Sequence, residues 1–325
     1  MKKLISIVLA ITLILSMAAM TTSCKQNKKY VIGISQLVTH EALDAATQGF
    51  MDAVKAGLGE ENVEFDFQNA DNSTDACATI ANNFVNKKVD LIMANATPAL
   101  QAAYSATDTI PILGTSITEY GVALNIENFN GTVGSNVSGT SDLAPLDQQA
   151  QMILDLVPDA KTVGLLYCSA EANSAYQVKV VKEYLESKNI TCKEYTFSES
   201  NDVTAVAANA AANCDAIYIP TDNTAASCAE TIYGAMGENK KPIIAGEAGI
   251  CGGCGIATLS IDYDDLGYAT GEMAVKILKD GADISTMAIE YTPAEKLAKK
   301  YNKTICEDLG ISTAAMEENG YTALS

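Results

Sequence analysis

The 325-residue sequence has no arginine and no tryptophan, a single histidine, and aromatic residues at only 6% of positions. Without arginine there is no bidentate guanidinium clamp. An anionic ligand group has to be held by lysine, by hydroxyls or by backbone N–H groups at helix N-termini. Without tryptophan, a large stacking surface of the kind that sugar sites often use is missing. Positive charge is scarce as well: 21 lysines face 40 acidic residues, for a net charge of −19. A chain this acidic does not track a phosphate backbone, which disfavours nucleic-acid binding.

Catalytic signatures are absent too. There is no GxxxxGK[ST] loop, no GxGxxG after a strand, no HExxH and no GxSxG elbow. His40, in THEALDAATQGF, reads as a helix-start residue bonded to neighbouring backbone rather than a general base. One histidine and one CxxC do not supply a metal-ligand set, and no cofactor is expected. Asp142 with Asp147, or Asp262 with Asp264 and Asp265, have spacings that so acidic a chain produces by chance, so they carry no acid–base assignment. The chain is read as a binding protein, not an enzyme.

The long apolar run lies at the N-terminus. Lys2 and Lys3 precede a mostly apolar stretch from Leu4 to Leu15, then small and polar residues, which is the pattern of a secretory signal peptide over residues 1–23. It is too short to read as a spanning helix. Cys24 follows Thr21-Thr22-Ser23 and resembles a bacterial lipidation site, with Thr21 where leucine is usual. Residues 24–29 then form a lipidated tether, and the protein is expected outside the cytoplasm, anchored by Cys24. Without the two signal lysines the net charge becomes about −21.

Short apolar runs alternate with segments of helical period along the rest of the chain. Strands are expected at 30–35, 63–69, 91–95, 110–115 and 131–134, then at 161–167, 190–197, 216–220, 242–245 and 256–261. Helices are expected at 41–56, 73–86, 146–156, 175–187, 203–212 and 225–236. Near-continuous apolar strands with intervening helices imply parallel sheets covered on both faces. Two such series make two Rossmann-like α/β lobes, divided by GSNVSGTSDLAP (134–145), a candidate hinge strand. Nearly every strand runs into a small polar cluster: SQLVTH, NATPA, GTSIT, CSAEANS, PTDNTAAS and GEAG. Singly these read as helix caps. Together they fall at the carboxyl ends of parallel strands, where open α/β sheets bind ligands, and they imply a cleft between the lobes.

Eight cysteines besides Cys24 are scattered among small apolar residues, unlike a disulfide scaffold. Cys251 and Cys254 form a CxxC in a glycine run. A redox pair needs its first cysteine at a helix N-terminus. The glycines instead predict that CGGC is a turn between two strands, with incidental thiols, free or disulfide-linked.

The segments VIGISQLVTHEALDAATQGFMDAV, LIMANATPALQAA, IPILGTSIT, NVSGTSDLAPLDQQAQMI, VGLLYCSAEANSAYQV, AIYIPTDNTAAS, PIIAGEAG and IDYDDLGYATGEMAVKIL follow in this order. Together they resemble the ABC-transporter substrate-binding lipoproteins of the tryptophan/tyrosine type, over residues 30 to about 311. The resemblance implies a type I periplasmic-binding-protein fold: two lobes joined by hinge strands. The first lobe would comprise residues 30–138 and about 262–285, the second 139–261 and about 286–325. The segment from Asp262 would form a helix of the first lobe, with 287–291 a strand crossing back.

It further implies a monomer that captures a small ligand, an aromatic amino acid above all, and delivers it to ABC permease subunits. Carried over onto this chain, Ser35, Gln36, Thr97, Ser116 and Ser138 are first-lobe cleft residues, with Thr97 and Ser116 holding a carboxylate. Glu171, Asn173, Asp222, Asn223 and Glu247 face a cation from the second lobe, Asp222 or Glu247 pairing with an α-ammonium. Tyr167 is expected in the side-chain wall. Residues 138–141 and 260–262, with Asp262, are expected at the hinge. The alternatives are another ligand, such as a branched-chain amino acid or a nucleoside, a sensory ligand core, or a redox lipoprotein using Cys251 and Cys254.

Overall fold

The computed structural model describes residues 29–324, so the signal segment and Cys24 lie outside the described residues. The chain begins with β1 (Tyr30–Gln36), α1 (Glu41–Leu58), β2 (Val63–Asn69), α2 (Thr74–Lys87), β3 (Leu91–Asn95), α3 (Thr97–Ala106), β4 (Ile112–Ile117), α4 (Tyr120–Leu124) and β5 (Val137–Ser141). A second series follows: α5 (Leu146–Leu156), β6 (Thr162–Cys168), α6 (Ala172–Ser187), β7 (Thr191–Phe197), α7 (Val203–Asn213) and β8 (Ala216–Ile219). It continues through α8 (Asn223–Ser227), α9 (Ala229–Ala235), β9 (Ile243–Ala245), α10 (Ala248–Cys254) and β10 (Ala257–Ser260). The last elements are α11 (Tyr263–Asp280), β11 (Glu290–Tyr291), β12 (Ala298–Tyr301), α12 (Lys303–Asp308), α13 (Ala314–Glu318) and β13 (Thr322–Ala323).

The strands make two sheets, ordered β11-β5-β4-β3-β1-β2 and β13-β12-β10-β9-β8-β6-β7. The first is parallel throughout, and the second is parallel except where β12 runs antiparallel to β10. The two-lobed α/β architecture expected from the sequence is therefore present. Each lobe has a switch point where successive strands diverge, between β1 and β3 in the first and between β6 and β8 in the second. The carboxyl ends flanking these points carry Ser35, Gln36 and Asn95 on one side, Cys168 and Ile219 on the other. In open parallel sheets such crevices hold ligands.

The chain passes between sheets at 142–145, 261–262 and 292–297. These crossings refine the expected lobe limits. A boundary at 138/139 would fall inside β5, whose residues through Ser141 stay in the first sheet. A strand crossing back over 287–291 is not formed. Glu290 and Tyr291 form a two-residue strand parallel to β5, Ala288 makes a single bridge, and the crossing follows them. The strand expected at 131–134 reduces to one bridge, Thr132 with Ala288. Gly131 and Gly134 have φ of 95° and 74°, which no strand accommodates. The helix expected over 225–236 breaks into α8 and α9 at Cys228, whose φ of −132° is not helical.

CGGC is not a turn. It is the last part of α10, nucleated by Glu247, whose carboxylate accepts the Gly249 and Ile250 amides. Burial of Ile250, Cys251 and Cys254 then offsets the low helix propensity of Gly252 and Gly253.

Helix α11 returns to the first lobe and lies along α1 at backbone contact. A Cβ on Gly267 would collide with the Ala46 carbonyl, and one on Gly49 with the Asp264 carbonyl. Because the obstacle is main chain, no rotamer change relieves it. The substitution Gly267→Val should therefore separate α1 from α11 and lower stability by about 3 kcal/mol, read by denaturant unfolding. Unchanged stability would contradict this packing.

Candidate functional site

The first-lobe wall is built from the carboxyl ends of β1, β3 and β4. Gln36 is committed internally: its Nε2 donates to the Val38 carbonyl at 2.9 Å and to Asp44 at 2.6 Å, and its Oε1 accepts the Thr47 hydroxyl at 2.7 Å. It braces β1 against α1. Ser35 beside it is buried, and its hydroxyl has no partner. Asn95 donates to the Leu43 carbonyl and to Thr47, leaving Oδ1 unpartnered. Ala96 then adopts φ 87° and ψ 155°, a conformation that L-residues avoid, so that Thr97 can open α3 at the crevice. Ser116 is also strained at φ 55°, where β4 shifts register against β5, and its hydroxyl is buried without a partner. Strain of this kind persists where the fold over-determines it and clusters at ligand sites.

The crossing segments supply two residues to which the sequence reading gave no site role. Asp142, immediately after β5, is buried; its Oδ2 accepts the Tyr263 hydroxyl at 3.0 Å, and its Oδ1 has no partner. Burial pushes the Asp142 carboxyl up to about 6, although bonds from Thr118 and Tyr263 oppose the shift. A buried aspartate directly after a strand of small polar residues was the available signal. It was masked by the abundance of acids.

From the second lobe, Glu247 is buried and caps α10. Burial pushes its carboxyl up to about 7; the Ile250 and Gly249 amides oppose this, while the charges of Glu41 and Asp142 add to it. Asp222 is raised as well, to about 7, by burial and by the Glu171 charge. Both of its oxygens are engaged, by the Ala225 amide and the Cys168 amide, each at 2.7 Å. Glu171 is buried and turned onto α8 rather than into the crevice. Asn173 donates to Glu171 and to the Thr221 carbonyl, leaving a buried Oδ1 without a partner. Asn223 donates to Glu171, and its Oδ1 lies 3.4 Å from His40 Nε2 across the cleft. His40 is the N-cap residue of α1, as the sequence reading expects, and its carbonyl accepts the Asp44 amide, but its side chain makes no cap and faces the other lobe.

Asp142 and Tyr263 are bonded to each other, and the charges of Asp142 and Glu247 act on one another's surroundings, so these three lie together. Ser35 and Ser116 stand at the carboxyl ends of β1 and β4, Thr97 opens α3, and Asn173 lies in the first turn of α6. Seven expected residues have other commitments: Gln36, Glu171, Asp222 and Asn223 to the protein partners named above, and Ser138, Tyr167 and Asp262 besides. Ser138 lies near the start of β5, three residues short of the ligand-binding edge, and donates to the Met287 carbonyl at 3.1 Å. Tyr167 alternates away from Leu166 and Cys168 and donates to Glu194 on the outer side of the second lobe. Asp262 is an exposed cap of α11, accepting the Asp264 and Asp265 amides.

Among the described residues the ion pairs are Lys–carboxylate contacts at the surface, and no cluster of three His, Cys, Asp or Glu residues is arranged to hold a metal. Among the described residues, none of these ion pairs involves Asp142, Asp222, Glu171 or Glu247. The thiols of Cys251 and Cys254 are free and buried, and burial raises both further from ionisation, the opposite of a reactive pair. No described helix is long and apolar enough to cross a membrane.

Residues 31–317 match the family described as ABC transporter substrate binding protein. The tyrosine-binding protein of Clostridioides difficile (strain R20291) is 37% identical over 313 residues, 90% of this chain and 89% of that one. A domain from Streptococcus pneumoniae crystallised in complex with L-Trp is 32% identical, with a TM-score of 0.86 over 91% of this chain and all of that one. The ligand-free, open structure of a Clostridium difficile substrate-binding protein with adhesive properties is 36% identical over 91% and 99% of the two chains, at a TM-score of 0.68. In the present chain the lobes touch across the cleft through Asn72–Thr224 and His40–Asn223. The chain belongs to the ABC transporter substrate-binding family, and it is a two-lobed protein that captures a small molecule for an importer without transforming it.

Proposed function

We propose that the crevice binds an aromatic L-amino acid, tyrosine or tryptophan, as a zwitterion. The observation that carries this reading is the pair of buried carboxylates, Asp142 and Glu247, which take part in no ion pair among the described residues, with one Asp142 oxygen unpartnered. An α-ammonium would satisfy that oxygen and lift the penalty on both groups. Opposite it, Ser116, Ser35 and the amides opening α3 at Thr97 form a set of donors for a carboxylate, as a chain without arginine requires. The tyrosine-binding relative and the L-Trp complex support the aromatic side chain. Ligand contacts to Asp142 at the lobe crossing and to Glu247 in the second lobe would favour the closed arrangement over the open one. The protein then delivers its cargo as a monomer to permease subunits, tethered outside the cell membrane through lipid on Cys24.

Titration calorimetry should give micromolar or tighter binding of L-tyrosine or L-tryptophan. N-acetyl-L-tyrosine, which lacks the charge, should bind at least about a hundredfold more weakly, as should L-tyrosine to Asp142→Asn. Binding of a branched-chain amino acid or a nucleoside in preference would replace the aromatic reading.

The sign of the pH dependence follows from the raised carboxyls. Ligand-free Asp142 and Glu247 take up protons near pH 6 and 7, and an ammonium partner favours their charged forms. Affinity should therefore be full above pH 8 and fall as pH drops through 7 to 5, with protons released on binding in that window. Constant affinity from pH 8 to 5 would exclude this pairing.

For the anchor, Cys24→Ala should move the protein from the membrane fraction to the medium or the soluble fraction. Retention in the membrane would remove Cys24 as the tether.

A further inference from the structure

Glu171 spends both carboxylate oxygens on α8. Its Oε2 accepts the Asn223 amide at 3.1 Å and Asn223 Nδ2 at 2.6 Å, and its Oε1 accepts the Thr224 amide and the Thr224 hydroxyl, each at 2.8 Å. The consequence is directional. With its side-chain nitrogen committed to Glu171, Asn223 presents Oδ1 outward; with its hydroxyl proton committed, Thr224 presents only lone pairs.

Both acceptors meet groups of the first lobe. Asn72 Nδ2 donates to Thr224 Oγ1 at 3.1 Å, and His40 Nε2 lies 3.4 Å from Asn223 Oδ1. Of the two donors, Asn72 is held by its own backbone, while His40 Nδ1 is buried without a partner. Asn72 sits at φ 63° with its own amide donating to the Leu37 carbonyl at 2.8 Å. Asn69 Nδ2 reaches Thr39 Oγ1 at 2.6 Å and ties the loop after β2 to the loop after β1. The loop after β2 and the short helix α8 therefore join directly across the cleft mouth, with His40 beside them.

We propose that this contact is a latch that acts without ligand. Asn72 and His40 on one lobe, with Thr224 and Asn223 oriented by Glu171 on the other, hold part of the ligand-free population closed. Apparent affinity rises with the fraction of molecules already in the binding-competent form, so the latch strengthens binding of every ligand by the same factor and leaves selectivity alone. Glu171 is then a positioning residue. The proposal rests on the crevice being the ligand site, but its primary readout needs no ligand.

The experiment is small-angle X-ray scattering of the ligand-free protein, compared among wild type, Asn72→Ala, Thr224→Val and Thr224→Ser, with melting curves to verify folding. Calorimetry and stopped-flow dissociation with L-tyrosine and L-tryptophan accompany it. Asn72→Ala and Thr224→Val should enlarge the ligand-free radius of gyration. They should weaken both amino acids equally, by about fivefold for the loss of one net hydrogen bond, through faster dissociation. The double variant should be little worse than either single one, and Thr224→Ser, which keeps the hydroxyl, should match wild type. Unchanged ligand-free scattering overturns the latch. So does a changed tyrosine-to-tryptophan ratio, because it would make Thr224 a ligand contact. If wild type binds neither amino acid the proposed ligand fails, while the scattering comparison still decides the latch.

Discussion

Negative charge that the protein does not neutralise is confined at the junction of the two lobes. Asp142, Asp222, Glu171 and Glu247 are all at most 4% exposed, yet every described ion pair lies at the surface. Taking a carboxylate out of water costs several kcal/mol unless hydrogen bonds or a counter-charge offset it. Backbone amides meet that need for Asp222 and Glu247, and α8 meets it for Glu171. Asp142 is met only in part. This imbalance connects the site to movement, because Asp142 stands where the chain first leaves the first sheet and Glu247 stands on the second. A cation that satisfies both draws the two lobes to one position.

The rest of the molecule keeps these groups in register. Main-chain contact between α1 and α11 makes the first lobe rigid behind the crevice, and Gln36 and Asn95 fix the ends of β1 and β3 against α1. Ala96 and Ser116, at the carboxyl ends of β3 and β4, both take positive φ. Sites that give up stability in this way are where binding function is expected.

The sequence carried the architecture well because its signal is periodic and repeated. Strands β2 and β3 and helix α5 agree residue for residue with the apolar pattern, and the polar clusters after the strands marked the correct edge of each sheet. It carried the site less well, since a strand position fixes which edge a residue occupies but not which face its side chain takes. Tyr167 failed on that point, Ser138 lies at the other end of its strand, and Glu171 is turned onto a protein partner. The CGGC helix was missed because glycine propensity is a local term, whereas the Glu247 cap and the burial of two thiols are not. Asp142 was hidden by composition: in so acidic a chain, burial rather than residue type distinguishes the functional carboxylate.

The most direct test of the central claim is to follow the side-chain carboxyl ¹³C resonances of Asp142 and Glu247 across pH, with and without saturating L-tyrosine. Titration near pH 6 and 7 in the free protein, moving below about pH 4 in the complex, is the predicted result. Midpoints that do not move when ligand binds would contradict the account.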